Sequence, residues 1–232
     1  MRDHVRALCA SAVLAFEPSD PVVEFGSFQV PEQHGLGDLR PLFPGAHYIG
    51  CDARPGTGVD CIDDVTASRF DSTFAGTILC LDTLEHVFEV TRALGEMHRV
   101  LKPGGLLVVA TVMRFPIHDY PEDYWRLTPR CLDRLVAPFD FRIVGSQGVE
   151  TFPDTVFAVA VKAPAPPDVT NRAARFMETY QQTLADARER LPRRVKLQRF
   201  VRGCYRSKGE RRALASEYTV RFTMGRAAGQ YA

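Results

Sequence analysis

The run Val22-Val23-Glu24-Phe25-Gly26-Ser27 constrains this chain most, read with Tyr48-Ile49-Gly50-Cys51-Asp52 about two dozen residues later. One apolar run ends in an acid and a glycine, and a second ends in an acid. Strand-to-helix units of a parallel nucleotide-binding sheet place such residues at the carboxyl ends of adjacent strands, where ligands bind. Gly26 lets the backbone approach a ligand closely, and Asp52 is placed to accept hydrogen bonds from a ribose diol.

Two further runs narrow the choice. Leu79-Cys80-Leu81-Asp82-Thr83-Leu84-Glu85-His86-Val87 is followed by Met97-His98-Arg99-Val100-Leu101-Lys102-Pro103-Gly104-Gly105-Leu106-Leu107-Val108-Val109. Together they resemble the fourth and fifth strand regions of class I S-adenosylmethionine-dependent methyltransferases, and within these the small-molecule (type 11-like) subfamily. The resemblance covers about residues 20 to 162, in order and at the expected spacing. It implies a Rossmann-like, doubly wound α/β fold: a seven-stranded, mostly parallel sheet with an antiparallel last strand. It also implies S-adenosylmethionine as cofactor.

The chain departs from that family after the first strand. The usual Gly-x-Gly-x-Gly loop is reduced to Gly26 before Ser27-Phe28-Gln29-Val30-Pro31, with Gly35 and Gly37 following a short insertion. Ser27 is expected to donate its hydroxyl to the cofactor's methionine carboxylate, assisted by helix-start amides. The alternative is a degraded loop and a lost cofactor site.

With 232 residues, 45% of them hydrophobic and 25% charged, the chain has room for one sizeable soluble domain and an appendage. No apolar run approaches the roughly 20 residues that span a bilayer. The segment from Val5 to Phe16 reads as a helix rather than a signal peptide, because Arg6 interrupts it and no cleavage site follows. Cys9, Cys51, Cys61, Cys80, Cys131 and Cys204 contain no Cys-x-x-Cys pair. They read as reduced thiols of a cytoplasmic protein, not as disulfides or zinc ligands. The net charge of +1 hides a split: residues 172–232 hold 15 Lys and Arg against 5 Asp and Glu, a net +10, and the rest is −9. Such asymmetry marks either a surface for an anionic partner or a basic helix folded against an acidic domain.

The pattern divides the chain into a helix over 1–19, a cofactor-binding domain over 20–163 and a basic helical extension over 168–232. Strands are expected at Val22–Phe25, Tyr48–Cys51, Val59–Ile62, Ala75–Leu81, Leu106–Thr111, Phe141–Ser146 and Thr155–Val161, the last two as a hairpin. A poor helix around Leu36–Phe43 is limited by Pro41 and Pro44. Leu94, Met97 and Leu101 give a buried stripe to a helix over Val90–Leu101. Thr128 and Pro129 open a short helix to Val136. Phe176, Tyr180, Leu184 and Ala187 predict an amphipathic helix over 171–190, a surface for docking on the domain or for a homodimer through the C-terminal helices.

Methyl transfer from a sulfonium is an in-line displacement, so the protein must align the acceptor, exclude water and, for a hydroxyl, remove a proton. The resemblance assigns Glu24 to ordering the first loop through backbone amides and Asp63-Asp64 to the adenine edge. It puts Cys80, Leu81 and Asp82 on the sulfonium side. His86 belongs to the family's fourth-strand motif, as a structural residue or a base. Acceptor chemistry is expected in Arg114–Pro129, a run similar to one in methyltransferases of glycan and natural-product pathways. There His118 beside Asp119 suits a general base, Tyr124 and Trp125 a sugar-stacking surface, and Arg126 a phosphate or carboxylate contact. A single adjacent His–Asp pair falls short of a metal-ligand set, so no metal is expected. The reading is therefore an S-adenosylmethionine-dependent methyltransferase acting at oxygen on a saccharide or natural-product small molecule. Its rivals are an RNA methyltransferase using the basic tail, and a non-catalytic binding protein of the same fold. No base-methylating Pro-Pro-Tyr-type motif or RNA-binding module accompanies that tail, so nucleic acid is not the expected partner.

Overall fold

The computed structural model describes residues 2–30, 37–118, 122–190 and 216–227. Strands β1 (Val22–Phe25), β2 (Tyr48–Asp52), β3 (Cys61–Ile62), β4 (Ala75–Leu81), β5 (Leu101–Val112), β6 (Phe141–Val149), β7 (Phe152–Val161) and β8 (Val220–Arg226) form one sheet. Their spatial order is β3-β2-β1-β4-β5-β7-β6-β8. β1 to β5 run parallel, β7 is antiparallel to β5, and β6 and β7 make the expected hairpin. The central strands are apolar without alternation because both faces are covered: all seven residues of β4 are buried. Pro103 is tolerated in β5 because pairing with β4 skips from Leu101 to Leu106, so residues 102–105 leave the ladder.

One face is covered by α1 (Asp3–Phe16) and α4 (Val169–Glu189), which share a core with β5 and β7. The other is covered by α2 (Val90–Val100) and α3 (Pro129–Leu135). Val90, Ala93, Leu94, Met97 and Val100 form the buried stripe of α2, and the Thr128 hydroxyl caps α3 by accepting from the Cys131 amide at 3.2 Å.

Three expectations change. The helix around Leu36–Phe43 is only a single 3-10 turn at Arg40–Leu42 among the described residues, since Pro41 and Pro44 leave too few amide donors for more. β3 is reduced to two residues. The extension is not wholly helical: after α4 it returns as β8, paired antiparallel to β6 from Phe141↔Arg226 to Gln147↔Val220. The sheet therefore has eight strands, the seven expected plus this edge strand. Among the described residues, no helix is long and apolar enough to cross a membrane.

Candidate active site

Parallel strands direct their carboxyl ends to one edge, and there the described residues enclose an open pocket of about 740 Å³. β1 delivers Glu24, Gly26 and Ser27; β2 delivers Asp52; the turn after β3 delivers Asp63 and Asp64; β4 delivers Leu81 and Asp82. Gly26 has φ +86°, and a Cβ there would lie 2.0 Å from the Thr83 hydroxyl, so no other residue fits. The Ser27 hydroxyl is buried beside it with no partner among the described residues. Gly37 also lines the pocket; Gly35 lies outside the described residues.

The strand-end acids are held differently. The Asp52 carboxylate accepts from the Arg54 amide at 3.0 Å, and the residue lines the pocket. The buried Glu24 accepts from the Tyr48 hydroxyl at 2.6 Å, rather than from loop amides, and burial lifts its pKa to about 7. The buried Asp63 accepts from the Ser68 hydroxyl at 2.7 Å and the Arg69 amide at 3.1 Å. Asp64 accepts from the amide and hydroxyl of Thr66, each at 2.8 Å. Asp82 is a non-glycine residue at φ 51°, a strained conformation of the kind that surrounding contacts must hold. Those contacts come from Arg2, whose guanidinium grips both carboxylate oxygens at 2.5 and 3.2 Å while also reaching the Thr155 hydroxyl at 2.6 Å. Cys80 does not line the pocket; it is buried within β4.

The same lining gathers His86, Glu85, His118, Phe88, Phe115 and Tyr124. Chains after β4 and β5 leave adjacent strand ends, so His86 and His118 meet with ring centroids 4.8 Å apart. The His86 Nδ1 lies 2.6 Å from the Glu122 carbonyl. The His118 Nδ1 lies 3.0 Å from Asp123 and 3.2 Å from the Pro116 carbonyl. All these neighbours are acceptors, so each Nδ1 carries a proton and each Nε2 is left with its lone pair. Burial lowers the pKa of His86. Glu85 is fully buried: one oxygen accepts from the Thr111 hydroxyl at 2.8 Å, and the other has no partner among the described residues. Burial, reinforced by Asp82, holds its pKa well above the carboxylate range.

Not every expected acceptor residue joins this lining. The Trp125 indole N–H donates to the Val87 and Phe88 carbonyls at 3.1 and 3.2 Å, and its ring packs near Phe88 rather than lining the pocket. Arg126 grips Asp123 and the carbonyls of Phe115 and Pro116, so its guanidinium closes the loop on itself. This pairing holds Asp123 far below the usual carboxylate range. The Tyr124 and Trp125 amides both donate to the Glu85 carbonyl, at 2.7 and 3.3 Å, tying the loop to the end of β4. Asp119 lies outside the described residues.

Sequence reasoning passed over Arg2, Thr83, Glu85 and Asp123. Glu85 had a signal, its place inside Leu-Glu-His-Val. Arg2 had none, because nothing local says that α1 begins over β4.

Residues 5–109 match the model of a family described as a methyltransferase domain. Solved structures of similar fold include an S-adenosylmethionine-dependent methyltransferase of Thermotoga maritima, at 20% identity and TM-score 0.47, covering 68% of this chain and 91% of that one. One from Aquifex aeolicus gives 15% identity and TM-score 0.46, covering 69% and 94%. The CurJ carbon methyltransferase gives 16% and 0.48, covering 66% and 54%. No curated protein matches. Over residues 5–109 the chain is thus similar to a methyltransferase domain.

Proposed function

We propose that the pocket transfers a methyl group from S-adenosylmethionine to an oxygen of a saccharide or other small natural-product acceptor. The observation that carries this reading is one cavity lined by two chemically distinct sets of residues: the strand-end acids with Gly26-Ser27, and the paired imidazoles. Its volume lies within the usual range for a small-ligand site. The unpartnered Ser27 hydroxyl and the cradle at Gly26 suit a cofactor lying close to the backbone. When bound, the sulfonium supplies a carbon already activated for displacement. Asp52 holds the ribose diol, Ser27 the methionine carboxylate, and Asp63 and Asp64 border the adenine; Glu24 braces β1 against β2 through Tyr48. His118, with its Nδ1–H oriented by Asp123, presents the Nε2 lone pair to an acceptor hydroxyl, with His86 beside it. Phe88, Phe115 and Tyr124 offer apolar faces to the acceptor, and Trp125 and Arg126 support them from behind.

Asp52→Ala should weaken S-adenosylmethionine binding by about 1.5–3 kcal/mol, the scale of a hydrogen bond to a charged group. Unchanged affinity by calorimetry in a folded variant removes Asp52 from the cofactor site. His118→Ala should lower turnover roughly 10²–10⁴-fold with cofactor affinity nearly intact. Normal turnover would rule out its part in proton removal, and loss of cofactor binding would make the loop structural.

The RNA reading depends on the basic tail, and 191–215 lie outside the described residues. A salt-sensitive gel shift with RNA would favour it over a small acceptor. The free thiols Cys9, Cys51 and Cys80, buried in the core, suit a reducing, cytoplasmic setting. The apolar stripe of α4 is engaged inside the chain, which favours the docking alternative over a homodimer built on that stripe.

A further inference from the structure

We propose that Glu85, His86 and His118 form a binding site for one divalent first-row transition cation. Two imidazole nitrogens and a carboxylate oxygen from these residues all lie within 4.8 Å of one another. Bonds of about 2.1 Å to a common centre put ligand atoms roughly 3–4 Å apart, so the set closes by no more than roughly 1–2 Å.

The hydrogen bonds around the trio are those of a ligand set. Both imidazoles use Nδ1 outward, His86 toward the Glu122 carbonyl and His118 toward Asp123 and the Pro116 carbonyl. These contacts hold the two rings with their centroids 4.8 Å apart, the role that outer carboxylates and carbonyls play around metal-binding histidines. Thr111 orients Glu85 in the same way through one oxygen. The other oxygen of Glu85 is buried with no partner among the described residues, an unusual condition for a buried carboxyl group and one that a cation taking the place of its proton relieves. Mixed nitrogen and oxygen donors favour zinc, manganese, iron(II) or cobalt(II) over calcium or magnesium, which take oxygen. Three protein ligands leave further positions open, and His86, Glu85 and His118 line the pocket, so an acceptor hydroxyl can occupy one of them. A cation bound there would act as a Lewis acid that eases loss of the hydroxyl proton to solvent through the open pocket, and the imidazoles, proton acceptors in the ion-free site, would then be its ligands. This chemical role rests on the methyl-transfer reading; the binding of the ion rests on the geometry alone.

The test uses the full-length protein stripped with a chelator and titrated with cobalt(II), read by visible absorption and calorimetry, with zinc(II) as competitor. One cobalt per chain should bind, displaced by zinc. Glu85→Gln, His86→Gln and His118→Gln should each weaken binding at least tenfold, Asp123→Asn by 10- to 100-fold as an orienting partner, and His47→Gln not at all. Thermal melts check that each variant is folded. Absence of cobalt binding below millimolar concentration, or folded variants of Glu85 and His118 with unchanged affinity, overturns the site. Cofactor affinity is measured on the same samples. Cobalt binding without S-adenosylmethionine binding would uphold the ion site while removing the methyl-transfer reading, and the reverse would remove only the ion site.

Discussion

Burial, rather than a charged neighbour, sets the behaviour of the ionisable groups nearest β1. Glu24 is fully enclosed between β1 and β2, and its pKa rises to about 7. A native-state pKa above the unfolded value means that the native state holds the proton more tightly. Its stabilisation is complete below about pH 4.5 and is lost as pH rises toward 7, an effect of about 3 kcal/mol. Glu24→Gln should therefore flatten the pH dependence of unfolding free energy over that interval, measured by denaturant titration against the parent chain. An unchanged slope would mean that Glu24 is ionised in the folded protein. His4, bonded to Thr155 and half-buried near Arg2, carries the opposite sign. Its pKa falls to about 4, so its contribution is complete above about 6.5 and is lost as pH falls toward 4.

At the scale of elements, α4 shows how the basic extension meets the domain. Val169, Ala173, Phe176, Tyr180 and Leu184 are buried at helical spacing. Phe176 lies 6.3 Å from Phe16 of α1, 6.1 Å from Tyr180 and 6.0 Å from Phe222 of β8. The basic residues of α4 also have a local use: Arg172 and Arg175 donate to the Phe16 and Ala15 carbonyls at 2.7 and 2.6 Å, satisfying the last turn of α1. Phe176→Ala should cost about 3–5 kcal/mol of unfolding free energy, the usual range for deleting a fully buried phenylalanine. A loss under about 1 kcal/mol would show that α4 is only loosely applied. The stripe of α4 was legible from its period. The strand β8 had a weaker signal, Val220, Phe222 and Met224 alternating with polar residues, obscured by the surrounding arginines.

The whole molecule depends on the extension. α4 and β8 cover one face of the sheet and the β6 edge, so truncation after Lys162 exposes the core around Phe16, Phe157 and Val159 together with a long unpaired strand. We expect the truncated chain to melt lower or to associate, read by calorimetry and by mass in solution. The same melting temperature and the same mass would refute the docking of the extension. Added salt should have little effect on the full-length chain, because apolar contacts carry the join and its ion pairs, such as Arg172 with Glu17, are partly exposed.

The sequence by itself determined the seven strands, their direction and the ligand-facing edge, because buried parallel strands demand uninterrupted apolar runs and their ends demand Gly26, Asp52 and Asp82 in fixed places. Those are local requirements, written within a few residues of each strand. Only the tertiary structure brought Arg2 onto Asp82, separated Trp125 and Arg126 from the pocket, buried Glu85 beside His86 and His118, and turned the tail back as β8. Each of these joins segments distant along the chain, Arg2 and Asp82 by 80 residues. A side chain's period reports which face of its own element it occupies, while its partner across the core is set by how the elements pack.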